Sequence, residues 1–176
     1  MAFDIFLDFP NPPSTSSSDI KVVGESTDKA HLNAIPVTSV SFGVENTTSI
    51  GSATGDAGAG KARFDALEIT KNVDASTPYL FNLVGLGAHF PDAELSIRKS
   101  GASSDYLIYR FKMVFVQQIK WSGGNGDDAP QETVSLAFGS MQVNYTPMSA
   151  NGKPAKSISQ SWNQVTNSST LDMPAP

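Results

Sequence analysis

Apolar and polar side chains alternate one for one through most of this chain. Over residues 2–9, Phe3, Ile5 and Leu7 take one parity and Ala2, Asp4, Phe6 and Asp8 the other, the mark of a strand with one wetter face. The Pro- and Ser-rich run 11–19 breaks any regular element and predicts a loop. From Val37 to Glu45, Thr38, Val40, Phe42 and Val44 share a face opposite Ser39, Ser41 and Gly43, which predicts a second strand. Residues 46–60 are small or polar apart from Ile50, so they cannot supply a core face; a loop this long is a candidate contact element. Strand character resumes from Lys61 to Val73, but Phe64 falls on the opposite parity to Leu67 and Ile69, so a bulge or a strand buried on both faces is expected.

One helix is predicted, over about 77–86. Thr77 is placed to cap the free N–H groups, Pro78 suits the first helical position because it has no N–H to satisfy, and Gly85 or Gly87 can close the C-terminus. Leu80, Phe81, Leu83 and Val84 are expected to form one face that seals a core. Strands follow at Glu94 to Lys99, at Leu107 to Phe115, at Thr133 to Phe138, at Met141 to Tyr145 across Gly139-Ser140, and around Ser157 to Val165. A polar turn at 100–105 and a glycine-rich loop at 122–130 separate them. The total is about eight strands and one short helix, a mainly β chain folded as an antiparallel β-sandwich or barrel. One domain over 1–166 is expected, with a flexible tail over 167–176.

Composition narrows the chemistry. Twelve Lys and Arg against 17 Asp and Glu give a net charge of −5, and 16% charged residues beside 39% hydrophobic ones fit a folded domain. An acidic chain lacks the basic patch that nucleic acid or anionic lipid would require, so neither is an expected partner. No apolar run is long enough to cross a bilayer, and membrane insertion is not expected. Zero cysteines exclude a disulfide framework and thiolate metal sites. The first nine residues carry Asp4 and Asp8 and no Lys or Arg, so no Sec-type signal is expected, and export would need another machine.

Each motif that could carry chemistry falls short. Gly55 to Lys61 matches the G-x4-G-K part of a phosphate-binding loop, but Ala62 stands where a hydroxyl must hold magnesium and a strand follows where a helix should begin. Gly123-Gly124-Asn125-Gly126-Asp127 is a single copy of a calcium-binding repeat that works only when stacked, so a hairpin loop with solvated aspartates is expected. His31 and His89 lie in no metal-ligand spacing, and no serine sits in a nucleophile elbow. Glu25 with Asp28, or Asp127 with Glu132, could pair as acid and base, though such pairs arise by chance. No catalytic residue, cofactor or metal is expected, and the chain is not read as an enzyme. A monomeric carbohydrate-binding sandwich using Trp121, Trp162 or Tyr145 as a stacking platform is the alternative, with core or interface the favoured place for Trp162.

Several stretches, in order, carry a resemblance: 1–7 (MAFDIFL), 20–28 (IKVVGESTD), 39–43 (SVSFG), 64–71 leading to Asp74-Ala-Ser-Thr-Pro78, 93–99, then 132–139 (ETVSLAFG) and 143–147 (VNYTP). Together they resemble the Hcp family, the haemolysin-coregulated tail-tube proteins of the bacterial type VI secretion system. The resemblance implies rings of six subunits around a wide pore, and rings stacking into a tube that a contracting sheath expels together with its spike. It implies small effector proteins carried in the lumen, and production in the bacterial cytoplasm before secretion. It also implies that the loop after the second strand, with Ile50, Gly51, Ser52, Thr54, Gly55 and Asp56, reaches a neighbouring subunit or ring. The segment 11–19 is longer than the family pattern leads one to expect, and a toxin-fused version of the family is not expected. The physics agrees: a ring uses head-to-tail contacts, and unpaired strand edges supply them.

Overall fold

The computed structural model describes residues 3–14, 20–48, 59–149 and 154–173. Ten strands and one helix occur among them in the order β1 (Phe3–Asp8), β2 (Ile35–Val37), β3 (Ser39–Ser41), β4 (Val44–Thr48), β5 (Ala59–Phe64), β6 (Leu67–Asn72), α1 (Thr77–Leu86), β7 (His89–Lys99), β8 (Leu107–Ser122), β9 (Gln131–Tyr145) and β10 (Ile158–Asn163). Eight of the strands form one antiparallel sheet in the order β2-β1-β7-β8-β9-β6-β3, with β10 added on β9, and β4 and β5 form a separate hairpin. The sheet curls into a nearly closed barrel. Its closure runs through Thr38, where the chain leaves its pairing with β1 and takes up pairing with β6. There the Thr38 amide and hydroxyl both donate to the Thr70 carbonyl at 2.8 Å.

The strand expected over Val37–Glu45 is therefore three short strands. Ile35 and Val37 point inward on odd parity, Thr38 and Ser39 are both exposed, and the inward residues resume on even parity with Val40 and Phe42. Two consecutive outward residues amount to a one-residue shift of parity, which reverses the face the strand turns inward. The expected strand over Lys61–Val73 breaks likewise at Asp65, with β5 in the hairpin and β6 in the barrel. β9, expected as two strands, is continuous through Gly139 and Ser140. Met113, opposite Gly139 by register, has φ 53°, and a Cβ on Gly139 would sit 3.3 Å from the Met113 Cβ and 2.8 Å from the Met173 methyl. Glycine is kept there by crowding rather than as a turn.

The helix spans the expected residues, but its start and its buried face differ. Ser76 is the cap and makes no side-chain capping bond. The Asp74 carboxylate instead accepts from the Ser76 amide at 2.8 Å, while the Thr77 hydroxyl accepts from the Asp74 amide at 3.1 Å. Gly87, at φ 63°, closes the helix with its amide on the Leu83 carbonyl. Leu80 and Leu83 are fully buried, whereas Phe81 and Val84 are exposed. A short helix on a sheet buries one stripe, and Phe81 stands about 100° round the axis from Leu80.

Where the composition predicts a frayed end, residues 168–173 return across the barrel. Ser140 Oγ donates to the Leu171 carbonyl at 2.6 Å, Asn163 Nδ2 donates to the Asp172 carbonyl at 2.8 Å, and Met173 rests over Gly139. The start of the Pro- and Ser-rich loop is docked too. Asn11 Nδ2 donates to both Asp92 carboxylate oxygens, and the Ser14 amide donates to the His89 carbonyl.

Candidate assembly surfaces

The inward parity of β6 runs Leu67, Ile69, Lys71 and that of β9 runs Glu132, Val134, Leu136, all fully buried or nearly so. Lys71 and Glu132 stand directly opposite one another beneath the start of α1. Lys71 Nζ donates to Glu132 Oε1 at 2.6 Å, to Asp74 Oδ1 at 2.8 Å and to the Asn72 carbonyl at 2.9 Å. Glu132 also accepts from the Thr77 hydroxyl and, on its second oxygen, from Trp121 Nε1 at 2.9 Å. Every charge here has partners, so the network pins α1 and Trp121 to the end of the barrel. What it pins is apolar and outward: the Phe81 and Trp121 rings lie 6.1 Å apart, 62% and 51% exposed.

The other end of β8 is concave. The β4–β5 hairpin continues past Gly43 and Asp65, where the Asp65 amide donates to the Gly43 carbonyl at 3.0 Å; it forms its own two-stranded sheet and touches the barrel through Phe64, edge-on to Phe138 at 5.7 Å. Between the hairpin and β10 lies a cavity of about 660 Å³ floored by Tyr109, Met141 and Val143 and walled by Phe42, Phe64 and Trp162. Trp162 is thus neither core nor free platform; it lines the cavity, and its Nε1 is buried without a partner among the described residues. β10 is also an edge. Asn163 donates its amide to the Ser168 carbonyl rather than to β9, so by alternation Ser159 and Ser161 turn their backbone groups outward. Such an edge is a template for another strand.

On the opposite face of β1, an arm over 20–34 is clamped to the barrel. His31 Nε2 lies 3.0 and 3.1 Å from the two Asp105 carboxylate oxygens, its Nδ1 is 3.6 Å from Asp8, and its ring stacks on Phe6 at 4.5 Å. Burial raises the Asp8 carboxyl above its ordinary value, opposed by His31 and assisted by Glu94 and Asp105. Arg98 forms a two-pronged bridge to Asp28, whose carboxyl is held down to about 2, chiefly by that hydrogen bond. Both imidazole nitrogens of His31 face carboxylates, so it serves as a clamp. His89 packs against Phe115.

The residues singled out for chemistry are dispersed. Glu25 accepts from the Ala75 amide and Asp28 serves Arg98; Asp127 accepts from Gly124 within its turn, and Glu132 is buried with Lys71. Trp121 sits at one end of β8 and Tyr145 and Trp162 at the other, so they form no common platform. Lys61 lies on β5, in a strand. Ile50, Gly51, Ser52, Thr54, Gly55 and Asp56 fall outside the described residues. Among those described, no three side chains of His, Asp or Glu gather as a metal-ligand set, and no helix is long and apolar enough to cross a membrane.

A family model described as the type VI secretion system effector Hcp matches residues 7–145, from β1 through the whole of β9. The chain belongs to the Hcp family. It is 38% identical over 106 residues to the protein Hcp1 of Pseudomonas aeruginosa, a match that covers 58% of this chain and 65% of that protein's length. It also resembles a solved type six secretion system protein at 32% identity, with a TM-score of 0.85 over 96% of this chain and all of the other. Hcp1 of Salmonella typhimurium is similar at 27% identity, with a TM-score of 0.75 over 97% of this chain and all of the other. The expected fold and type VI secretion family are thereby shown. The unsealed edge, the separate hairpin and the cavity between them are features the periodicity did not reveal, because pairing between distant segments leaves no trace in local alternation.

Proposed function

We propose that this Hcp chain is a tube subunit whose work is mechanical: six copies close a ring, rings stack into a tube, and sheath contraction expels that tube with small effector proteins in its lumen. On this reading the protein is made in the bacterial cytoplasm and leaves it through the secretion machine, and its work needs neither a cofactor nor a reaction of its own. The observation that carries the reading is a barrel of the Hcp fold left unsealed at β10 and at the β4–β5 hairpin. A monomer would keep those backbone groups and apolar walls in water, whereas head-to-tail neighbours would cover them.

Light scattering on purified protein tests this. The expected particle is six times 18.6 kDa, about 112 kDa, appearing as rings in negative stain. A species of 18.6 kDa at micromolar concentration, with no rings, would overturn the reading.

A further inference from the structure

The turn 122–130 joins β8 to β9, the two longest strands, and its Gly-Gly-Asn-Gly-Asp run plays no part in the tube-subunit reading. Residues 122–128 are all exposed. The turn closes on itself through two bonds: the Asp127 amide donates to the Gly124 carbonyl at 3.2 Å, and the Gly124 amide donates to the Asp127 carboxylate at 2.7 Å. Asn125 and Gly126 are the two residues between. Gly126 stands at φ 129°, a conformation that favours glycine, and a Cβ there would meet nothing within 4 Å. Among the described residues the Gly126 amide has no acceptor and the Asn125 carboxamide has no partner.

A free, exposed and unobstructed backbone nitrogen next to an asparagine carboxamide supports one reaction. Under base the Gly126 nitrogen gives up its proton and bonds to Asn125 Cγ; the Cγ–Nδ2 bond breaks, and that nitrogen takes the proton and leaves as ammonia. The product is a five-membered imide. Water then opens the ring at either of its two carbonyls. Cleavage at Cγ leaves aspartate, and cleavage at the main-chain carbonyl leaves isoaspartate, in which the chain runs through Cβ and Cγ. One water is consumed, one ammonia is released, and nothing is oxidised or reduced. The other described asparagines are held from this path. Five lie in α1 or in strands, where regular hydrogen bonding fixes the backbone that would have to turn. Asn11 precedes Pro12, which has no N–H to lose, and the amides after Asn33 and Asn167 already donate to the His31 and Asn163 carbonyls.

We propose that Asn125 is a site of spontaneous modification: it deamidates in the folded chain through attack by the Gly126 nitrogen, and the isoaspartyl product opens the β8–β9 turn. The extra main-chain carbon lies between Gly124 and Asp127, so the two bonds that join those residues lose their spacing. The new carboxylate makes the net charge one unit more negative than −5 and joins Asp127 and Asp128 on the same exposed turn, where like charges repel. Water is the only co-reactant, and neither an enzyme nor a second copy takes part. Subunits of different age therefore come to differ at this end of β8, whether or not they are joined in a ring.

The test keeps the purified, folded full chain in mildly alkaline buffer and follows it by peptide mass mapping, which separates asparagine, aspartate and isoaspartate at each position. The expected result is product at position 125 forming roughly tenfold faster than at any other described asparagine, a difference that a small change in barrier supplies. The chain's second Asn-Gly pair, at 151–152, lies outside the described residues and is scored apart. In the isoaspartyl fraction the Gly124 and Asp127 amides should exchange with solvent faster than in fresh protein. Asn125→Gln, whose longer side chain disfavours the five-membered ring, should give no product there and leave the exchange of both amides unchanged. An intact position 125 would overturn the proposal, and a free peptide of residues 122–130 that reacts under the same conditions would place the block in the fold. Equal reaction at the other described asparagines would overturn it as well. Isoaspartate at 125 with unchanged amide exchange would overturn the opening of the turn.

Discussion

Gly24 occupies a place that no other residue can share. Its amide donates to the Asn33 carbonyl at 2.8 Å, and a Cβ there would lie 2.3 Å from the Ala34 carbonyl oxygen and 2.6 Å from the Ile35 Cα. Those atoms are backbone and cannot swing aside, so Gly24→Ala must lift the 20–34 arm; thermal unfolding should show a loss of about 2–3 kcal/mol, at the upper end of overpacking costs. Stability near that arm also depends on pH. Arg98 holds Asp28 down to about 2 from the usual 3.8, so the folded chain takes up that proton less readily than the unfolded one. The bridge therefore stabilises in full above roughly pH 4 and is lost as pH falls through about 2. Asp28→Asn should flatten that acid limb in a denaturation series, and an unaltered slope between pH 4 and 2 would count against the bridge. The glycine's necessity is not visible in the residue string, where Val-Val-Gly-Glu reads as any turn. The approach of residues 33–35 that creates it comes from a segment ten positions away.

The buried lysine and glutamate were legible in principle. Alternation through Leu67, Ile69 and Lys71, and through Glu132, Val134 and Leu136, places one charge on each inward row, and two such breaks of opposite sign mark a buried pair. Helix α1 was legible in extent because Pro78 and Gly87 are local signals, but its face was not, since only the underlying strands decide which stripe is covered. β2 and β3, at opposite ends of one sheet, read as a single strand because alternation does not say which neighbour a segment pairs with; the telling sign is the shift of inward parity between Val37 and Val40. The ion pair gives a sharp expectation. Lys71→Met leaves the Glu132 carboxylate, fully buried, without its cation, and equilibrium denaturation should show a loss of about 3–5 kcal/mol. Adding Glu132→Leu should recover most of that loss, because two apolar groups remove the desolvation cost that one stranded charge creates. If the double variant is no better than the single, the carboxylate is satisfied by Thr77 and Trp121 alone.

The molecule as a whole separates what folds it from what would assemble it. The core cluster joins β1, β2, β6, β7, β8, β9 and α1, and neither β4 nor β10 contributes a buried core residue to it. β4 and β5 pair only with one another, as a two-stranded sheet apart from the barrel sheet. The sequence had marked residues 46–60 as a contact element through their small, polar composition, and we propose that stretch as the reach of one ring toward the next. Replacing Ile50 and Thr54 with aspartate tests the division. Folding should be unaffected, with the melting temperature moving by no more than about 2 °C, since substitutions away from buried contacts cost within roughly 0.5 kcal/mol. Ring formation should persist, while the tubes seen in negative stain become shorter or disappear, because new like charges would face one another at every ring-to-ring junction. Tubes of unchanged length beside a lowered melting temperature would place the loop within the fold and not between rings.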